Sequence, residues 1–290
     1  LFSQSFFVSI YRYIKVVELL IVGFIAYQSV LKKKIVLLGF LAAGIFELVL
    51  STFQLITKHS FQGIFYFFGE RYINLSMPGI AKVSLQGVEL LRPYGTFSHP
   101  NSLAGFFLLL YIWILINNRF NKYILLRYIS LFVFSALILI SFSKITILTY
   151  IILNVYYLYY RAGISCRLCK WGRLIILGII GLLFMQARSD PLTIQKRFEL
   201  LKNSIIIIFQ YPITGVGIGS YLISQNQYVS KFSYFFNQPV HNVFLLGFAE
   251  LGIPLGLYVM YLLFFSSKKL LTSHFLLLTV LVITCFFDHY

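Results

Sequence analysis

Eight apolar runs constrain this chain more than any other feature. They fall at about 16–31, 35–57, 102–116, 124–142, 145–160, 174–187, 243–265 and 270–287. A helix that crosses the hydrocarbon core of a bilayer needs roughly 20 apolar residues, with about 17 as the lower edge. The runs are continuous rather than alternating, which is typical of helices and not of strands. We therefore expect an all-α, polytopic transmembrane helix bundle of about eight spans.

Composition supports this class. The chain is 59% hydrophobic and 11% charged, against about 45–50% and about 25% in soluble domains. These values exclude a disordered chain, a secreted disulfide module and an ordinary soluble enzyme. Three cysteines are too few for a disulfide framework or a four-cysteine zinc site. The chain begins at Leu1 and stops just after an apolar run, so we expect a fragment that lacks both ends.

Charge placement predicts the orientation. The net charge is +16, with 24 basic against 8 acidic residues. In a soluble protein this excess would suggest nucleic acid, but here the charges follow the spans, and no nucleic-acid partner is expected. Every second connection is basic and holds no acid, which places those connections in the cytoplasm. Their basic residues are Lys32, Lys33, Lys34, Arg119, Lys122, Arg127, Arg161, Arg167, Lys170, Arg173, Lys268 and Lys269.

The outer side then holds two long loops, at about 58–101 and 188–242, and a tight turn at 141–144. Basic residues on this side oppose the orientation rule, and an anionic ligand outside the membrane would account for them. They are Lys58, Arg71, Lys82, Arg92, Lys144, Arg188, Lys196, Arg197, Lys202 and Lys231.

The second outer loop contains a predicted amphipathic helix from Asp190 to Gln210. Asp190 suits the N-cap and Pro191 the first helical position. An apolar stripe at spacings of four and three opposes a polar face of Lys196, Glu199 and Lys202. The stripe consists of Ile194, Phe198, Leu201, Ile205 and Ile208. We expect this helix to lie in the outer membrane interface.

Four places carry residues suited to chemistry. Arg92 precedes the third span, and a guanidinium binds phosphate bidentately. His99 and Asn101 follow it, and the simpler reading of His99 is that it caps the helix that Pro100 begins. Lys144 lies in the tight turn, as a ligand or as a snorkelling lysine.

Arg197 lies on the amphipathic helix, where its alternative partner is a lipid headgroup. His241 and Asn242 open the seventh span, where a histidine can act as a general base near neutral pH. Glu250 lies nine residues further on, roughly 900° and 13 Å along a helix, so it should not orient His241.

Three further signals are weaker. The segment Gly215–Gly219 lacks the strand and helix of a dinucleotide site. Cys166 and Cys169 form one CxxC pair, which suggests two thiols in a reducing compartment rather than a metal site. Glu18 and Glu47 lie inside spans, where carboxylates are functional by default or pair with a nearby lysine.

Five motifs in order resemble the O-antigen ligase and Wzy-type O-antigen polymerase superfamily. They read "RPYGTFSHPNSLAG" (92–105), "SFSKITIL" (141–148), "QKRFELL" (195–201), "YPITGVGIGSY" (211–221) and "HNVFLLGFAELGIPLG" (241–256). The resemblance covers roughly 92–290 within a single transmembrane domain spanning 1–290, with 188–242 as the outer catalytic loop. It implies a GT-C-like glycosyltransferase of the bacterial cytoplasmic (inner) membrane.

The resemblance also implies an activity. The family transfers a glycan from an undecaprenyl-diphosphate carrier to a glycan, lipid or protein acceptor, by an inverting mechanism without a metal or other cofactor. Its His-Asn motif falls on His241 and Asn242, and its arginine falls on Arg197. Lys144 occupies the position where the family typically has arginine. Polymerase, ligase and protein O-glycosyltransferase activities all stay open.

The resemblance assigns His241 a catalytic role and gives the diphosphate to Arg197, Lys144 and Arg92, with Asn242, His99 and Asn101 in support. A transporter or flippase of lipid-linked anionic sugars is the alternative, and it should place charges along a path through the membrane. A purely structural membrane protein would leave the outer basic residues unexplained.

Overall fold

The computed structural model describes residues 3–28, 33–85, 87–160, 193–228 and 238–265, and the single positions 178, 181, 280, 282 and 285. Helices dominate these residues. The α-helices are α1 (Phe6–Gln28), α2 (Lys33–Thr57), α3 (Pro100–Ile116), α4 (Ile124–Ile140), α5 (Lys144–Tyr160), α6 (Thr193–Gln210), α7 (Tyr221–Gln225), α8 (Val243–Leu251) and α9 (Ile253–Phe265). Two 3-10 helices, Gly63–Phe68 and Asn118–Tyr123, and two strands, β1 (Lys82–Leu85) and β2 (Val88–Leu91), complete the set.

Several predictions concern residues outside these ranges. They are Lys32, the apolar runs 174–187 and 270–287 apart from the single positions, the basic loop from Arg161 to Arg173, the Cys166 and Cys169 pair, Arg188, the Asp190–Pro191 cap, Lys231, and Lys268 with Lys269.

The predicted helices in the described residues are largely confirmed. α2, α3, α4 and α5 begin and end within about two residues of the apolar runs that predict them. α1 begins ten residues earlier than predicted, because Arg12 and Lys15 interrupt its hydrophobicity without interrupting its helix. The turn at 141–144 is confirmed between α4 and α5.

The seventh run is not one continuous helix, and that prediction is wrong. Gly252 separates α8 from α9 with φ +80°, a conformation that glycine adopts readily. The Ile253 N–H donates to the Pro212 carbonyl at 2.8 Å. A Cβ on Gly252 would lie 2.2 Å from the Ile213 carbonyl oxygen. The break therefore comes from the close approach of a distant segment, which apolar periodicity does not report.

The first outer loop holds a structure that the all-α expectation missed. β1 and β2 pair antiparallel, with Lys82 opposite Leu91 and Leu85 opposite Val88. Each strand has four residues, too few to produce a clear alternating pattern among the apolar residues of this loop. Ile73, Leu91 and Tyr94 form a small core beneath the hairpin.

Two helices among the described residues are long and apolar enough to cross a membrane, Lys34–Thr57 and Phe120–Ile140. Shorter apolar helices cover Pro100–Ile116, Lys144–Tyr157 and Ile253–Leu262. The fold is thus mostly helical with two candidate membrane-spanning helices, fewer than the eight spans expected from sequence.

The described residues divide into two compact units. The first-loop unit comprises 33–160, in which α3 packs against α4 and α5, and α2 packs against α4. Gly44 permits the close contact of α2 with α4, since a Cβ there would lie 2.6 Å from the Phe134 ring. The second-loop unit comprises 3–28, 193–228 and 238–265. Its core is Ile207, Ile208, Val216, Tyr221, Val240 and Ala249.

Candidate functional site

Arg92 joins two parts of the first-loop unit. Its Nε donates to the Ser141 carbonyl at 3.0 Å, and its Nη2 donates to Oδ1 of Asn101. Asn101 is buried in the first turn of α3, and Ser141 is buried in the turn between α4 and α5. The sequence-predicted residues Arg92 and Asn101 are therefore in direct contact. Ser141, which accepts the hydrogen bond from Arg92, lies three residues before Lys144 in the chain.

Lys144 is the first residue of α5 and is exposed to solvent. The turn before it is well fixed: Ser143 is buried, and its Oγ lies 2.9 Å from Oγ1 of Thr146. Phe142 takes a positive φ of +52°, which closes the turn. The turn that accepts a hydrogen bond from Arg92 at Ser141 therefore leads directly to an exposed lysine.

His99 caps α3. Its Nδ1 accepts a hydrogen bond from the Asn101 N–H at 3.2 Å, and Pro100 occupies the first turn. This is the helix-entry role that the sequence offered as the alternative to a role in binding. The Tyr94 ring meets the imidazole edge-on at 5.9 Å between centroids.

A polar face of α2 holds the segment that leads to Arg92 and α3. Gln54 is fully buried and accepts from the N–H groups of Tyr94 and Gly95, both at 2.9 Å. Its Nε2 donates to the Gly95 carbonyl at 3.2 Å and to Glu70 at 2.9 Å. One amide side chain thus uses its oxygen and its nitrogen to fix the loop.

Glu47 completes this face two turns earlier. It is buried, and it accepts from the Thr96 N–H at 3.1 Å and from the Thr96 hydroxyl. Its partner is therefore a threonine, rather than the lysine that the sequence suggested. Glu18 does pair with a lysine, Lys15, at 2.8 Å on the exposed side of α1.

Tyr94 ties the same segment to the hairpin. Its hydroxyl accepts from the Ala81 N–H at 3.0 Å, and the Arg92 N–H donates to the Ala81 carbonyl at 3.1 Å. Burial raises the pKa of the Tyr94 phenol, and its bond to Ala81 opposes that rise. The residues on both sides of Pro93 are thus held by the hairpin and by α2.

Arg197 lies on α6 and is exposed. The helix itself is confirmed as far as Gln210, and the face that it buries in the second-loop unit differs from the predicted apolar stripe. Leu200, Ser204 and Ile207 are buried, whereas Phe198 is exposed. Leu201 and Ile205 are also exposed, although Ile208 is buried. α6 is apolar on both sides, and periodicity alone cannot tell which side faces protein.

His241 and Asn242 immediately precede α8. The Asn242 side chain accepts from the Leu245 N–H at 3.0 Å, which makes Asn242 the N-cap. His241 precedes the cap and is half-buried. Val240, just before it, is buried in the core that joins α6 to α8. The histidine therefore stands at a firmly held helix entry.

The glycine-rich segment 215–219 packs against the end of α8. The Gly217 N–H donates to the Glu250 carbonyl at 3.0 Å, and a Cβ on Gly215 would lie 2.4 Å from the Glu250 backbone. The Glu250 carboxyl accepts from the backbone of Gly219 and Tyr221, with Arg12 close by. These glycines permit close packing, and Glu250 serves that packing, as expected for a residue that does not orient His241.

Buried polar residues that the sequence analysis did not single out organise the first-loop unit: Gln54 and Glu70. Glu70 is 1% exposed and accepts from Phe61, Gln62 and Gln54. A sequence signal for one of them exists, since Glu47, Ser51 and Gln54 recur at spacings of four and three on an apolar helix. Nothing local distinguishes Glu70 from a solvated acid.

The candidate residues thus form two groups, Arg92, His99, Asn101 and Lys144 in the first-loop unit, and Arg197, His241 and Asn242 in the second-loop unit. Within the described ranges, no three histidine, cysteine or acidic side chains cluster as metal ligands would. No protein-family model, curated protein or solved structure matches the chain. The resemblance to O-antigen ligases and polymerases therefore rests on the motifs alone.

Proposed function

We propose that this chain belongs to a multi-pass glycosyltransferase of the bacterial cytoplasmic membrane. It would move a glycan from undecaprenyl diphosphate to an acceptor hydroxyl on the outer face, as a polymerase or a ligase. The observation that carries the proposal is the hydrogen bond from Arg92 to Ser141, in the turn that leads to the exposed Lys144. A guanidinium that offers directional hydrogen bonds and an ammonium that offers charge together suit a diphosphate.

The membrane part of the proposal rests on the eight apolar runs, of which every second connection is basic. The two long apolar helices and the three shorter ones support it. The outer side then contains Arg92, Lys144, Arg197 and His241. An orientation with these residues in the cytoplasm would instead place the twelve other basic residues outside.

The proposed chemistry is a displacement at the anomeric carbon. The acceptor oxygen forms a bond to that carbon while the bond from the carbon to the diphosphate oxygen breaks. Undecaprenyl diphosphate leaves with the electron pair. Arg92 and Lys144 of the first-loop unit would stabilise the charge that develops on it, and the resemblance gives Arg197 the same role. His241 accepts the proton of the acceptor hydroxyl. Asn242 fixes the start of α8 and hence the position of His241.

The test is glycan transfer from a defined undecaprenyl-diphosphate oligosaccharide by the full-length protein in liposomes, with EDTA present. His241→Ala should abolish transfer while carrier binding stays within about threefold. Arg197→Ala should lower transfer by about 10- to 1,000-fold, as for the loss of one group that stabilises developing charge. His59→Ala and Lys202→Ala are the controls, because the first removes a histidine and the second a basic side chain elsewhere on the predicted outer side.

The products distinguish the alternatives. A ladder of repeat lengths, lost in His241→Ala, supports a polymerase, and a single addition to a lipid or protein supports a ligase. Saturable carrier binding without turnover on any acceptor would refute the enzyme and favour the transporter. Equal loss of binding and turnover in His241→Ala would do the same.

A further inference from the structure

The segment just after α2 exposes an unusual set of apolar side chains. The 3-10 helix Gly63–Phe68 has no buried residue. Phe67 is 85% exposed. We call this set the aromatic ridge; its members are Phe61, Ile64, Tyr66, Phe67 and Phe68, each 49% exposed or more. A contiguous apolar patch of this kind on a protein surface marks a site of contact with another apolar phase.

The aromatic ridge does not extend away from α2 but runs back along it. Phe61 stacks on Phe53 with 3.6 Å between ring centroids, and Phe68 meets Phe46 at 5.7 Å. Phe46 lies 11 residues before the end of α2 at Thr57, which is about 16 Å along the helix axis. The hydrocarbon core of a bilayer is about 30 Å thick. The ridge therefore reaches the depth of the outer half of the candidate membrane-spanning helix.

The ridge also adjoins the exposed stripe of α2. Ile45, Val49 and Ile56 are all exposed, at the spacings of one helical face. The ridge contacts Phe46 and Phe53. Phe46 follows Ile45 in the chain, and Phe53 lies four residues after Val49, so both rings border this face. The ridge and the stripe are thus one continuous apolar surface, so the phase that contacts one contacts the other.

The backbone of this segment is suited to an environment without water. Irregular backbone at membrane depth requires that its polar groups are satisfied within the protein. The buried Glu70 carboxyl accepts from the N–H groups of Phe61 and Gln62, at 2.9 and 2.6 Å. The Glu70 N–H returns to the Phe65 carbonyl at 3.0 Å, and the Gly69 N–H bonds to Tyr66 at 3.0 Å. These backbone groups are thus paired within the segment, while the apolar side chains of the ridge are exposed.

Charge on both sides of the ridge fits a bilayer as its partner. Lys58 precedes the ridge, and the exposed Arg71 follows it. Basic residues that flank an aromatic segment reach the headgroups of anionic lipids, while aromatic rings occupy the boundary between headgroups and acyl chains.

We propose that residues 61–70 form a turn that re-enters the outer leaflet, with the aromatic ridge in contact with lipid and Glu70 holding its backbone. This inference rests on the membrane location under the proposed function. It adds a lipid contact in the first outer loop, which the sequence analysis treated as lying outside the membrane.

The test is site-directed spin labelling of the full-length chain, free of native cysteines, in liposomes of phosphatidylethanolamine and phosphatidylglycerol. Single labels are placed through Phe67→Cys on the ridge, Phe132→Cys on α4 and Val88→Cys on the hairpin. All three side chains are exposed, so each label should be tolerated. The measurement is the collision rate with oxygen, which concentrates in lipid, and with a water-soluble nickel chelate.

The label at position 67 should match position 132, with oxygen collisions dominant, and position 88 should show the reverse. Position 67 matching position 88, while position 132 still reports lipid, would overturn the re-entrant turn and leave the membrane location intact. Water exposure at position 132 would overturn the membrane location and this inference with it.

Discussion

Gly95→Ala is the substitution that most directly tests the contact between α2 and the segment before α3. Gly95 has φ +58°, and a Cβ there would lie 2.0 Å from Oε2 of Glu47 and 3.2 Å from Oγ of Ser51. The new methyl group therefore cannot be accommodated unless the Glu47 carboxyl moves. That carboxyl is buried and bonded to Thr96, so its movement breaks those bonds.

Two costs add in this variant. An alanine in the left-handed region costs about 1–2 kcal/mol. Displacing Glu47 loses two hydrogen bonds at about 1 kcal/mol each and leaves a buried polar group poorly satisfied, at about 1–3 kcal/mol more. We therefore expect Gly95→Ala to lower the free energy of unfolding by roughly 4–7 kcal/mol. Of this, only about 1–2 kcal/mol is due to backbone conformation.

Gly63→Ala and Gly87→Ala are matched controls for that first part. Both glycines have positive φ, +62° and +85°, and neither has an atom within 4 Å of the added Cβ. Thermal unfolding in detergent should rank Gly95→Ala well below the two controls, which should differ little from each other. A midpoint for Gly95→Ala equal to that of the controls would refute the steric argument and the described position of Glu47.

Three further predictions concern contacts within the individual units. Gly252→Ala should destabilise by several kcal/mol, because its Cβ would lie 2.2 Å from the Ile213 carbonyl oxygen; Gly247→Ala, with open space, should be neutral or stabilising by up to about 1 kcal/mol. Asn242→Ala should lower the free energy of unfolding by about 1 kcal/mol, and Asn242→Ser should recover most of it, as thermal melts can show. Burial raises the pKa of Tyr94, so the stability that its protonated form contributes is complete below the unfolded value of about 10. That contribution is lost as pH rises through the folded pKa, and Tyr94→Phe should flatten the stability curve above pH 10.

The polar face of α2 holds the segment that carries Arg92 in position. Gln54 and Glu47 fix the segment 94–96, Tyr94 fixes it to the hairpin, and Arg92 then joins α3 to the turn before Lys144. A helix with polar residues on its buried face therefore determines where a guanidinium of the neighbouring outer loop stands. Under the proposed function, α2 would hold part of the diphosphate site without touching the substrate.

Local sequence patterns were enough to predict the helical class and most helix boundaries in the described residues. Apolar runs and turn residues are local properties, and Pro100 and Asn242 mark helix starts through their own backbone and side-chain chemistry. The tight turn before Lys144 and the capping role open to His99 were readable for the same reason.

Which side of each element faces protein depended instead on packing between segments that are distant in the chain. The α6 stripe was identified from its spacing, but of that stripe Ile208 is buried while Phe198 is exposed, and Leu200 and Ile207 outside it are buried as well. Burial depends on what packs against a helix, and that partner can be far away in the chain, as Pro212 and Ile253 are. Glu70 and Gln54 became recognisable only once the fold placed them among backbone groups that need hydrogen-bond partners.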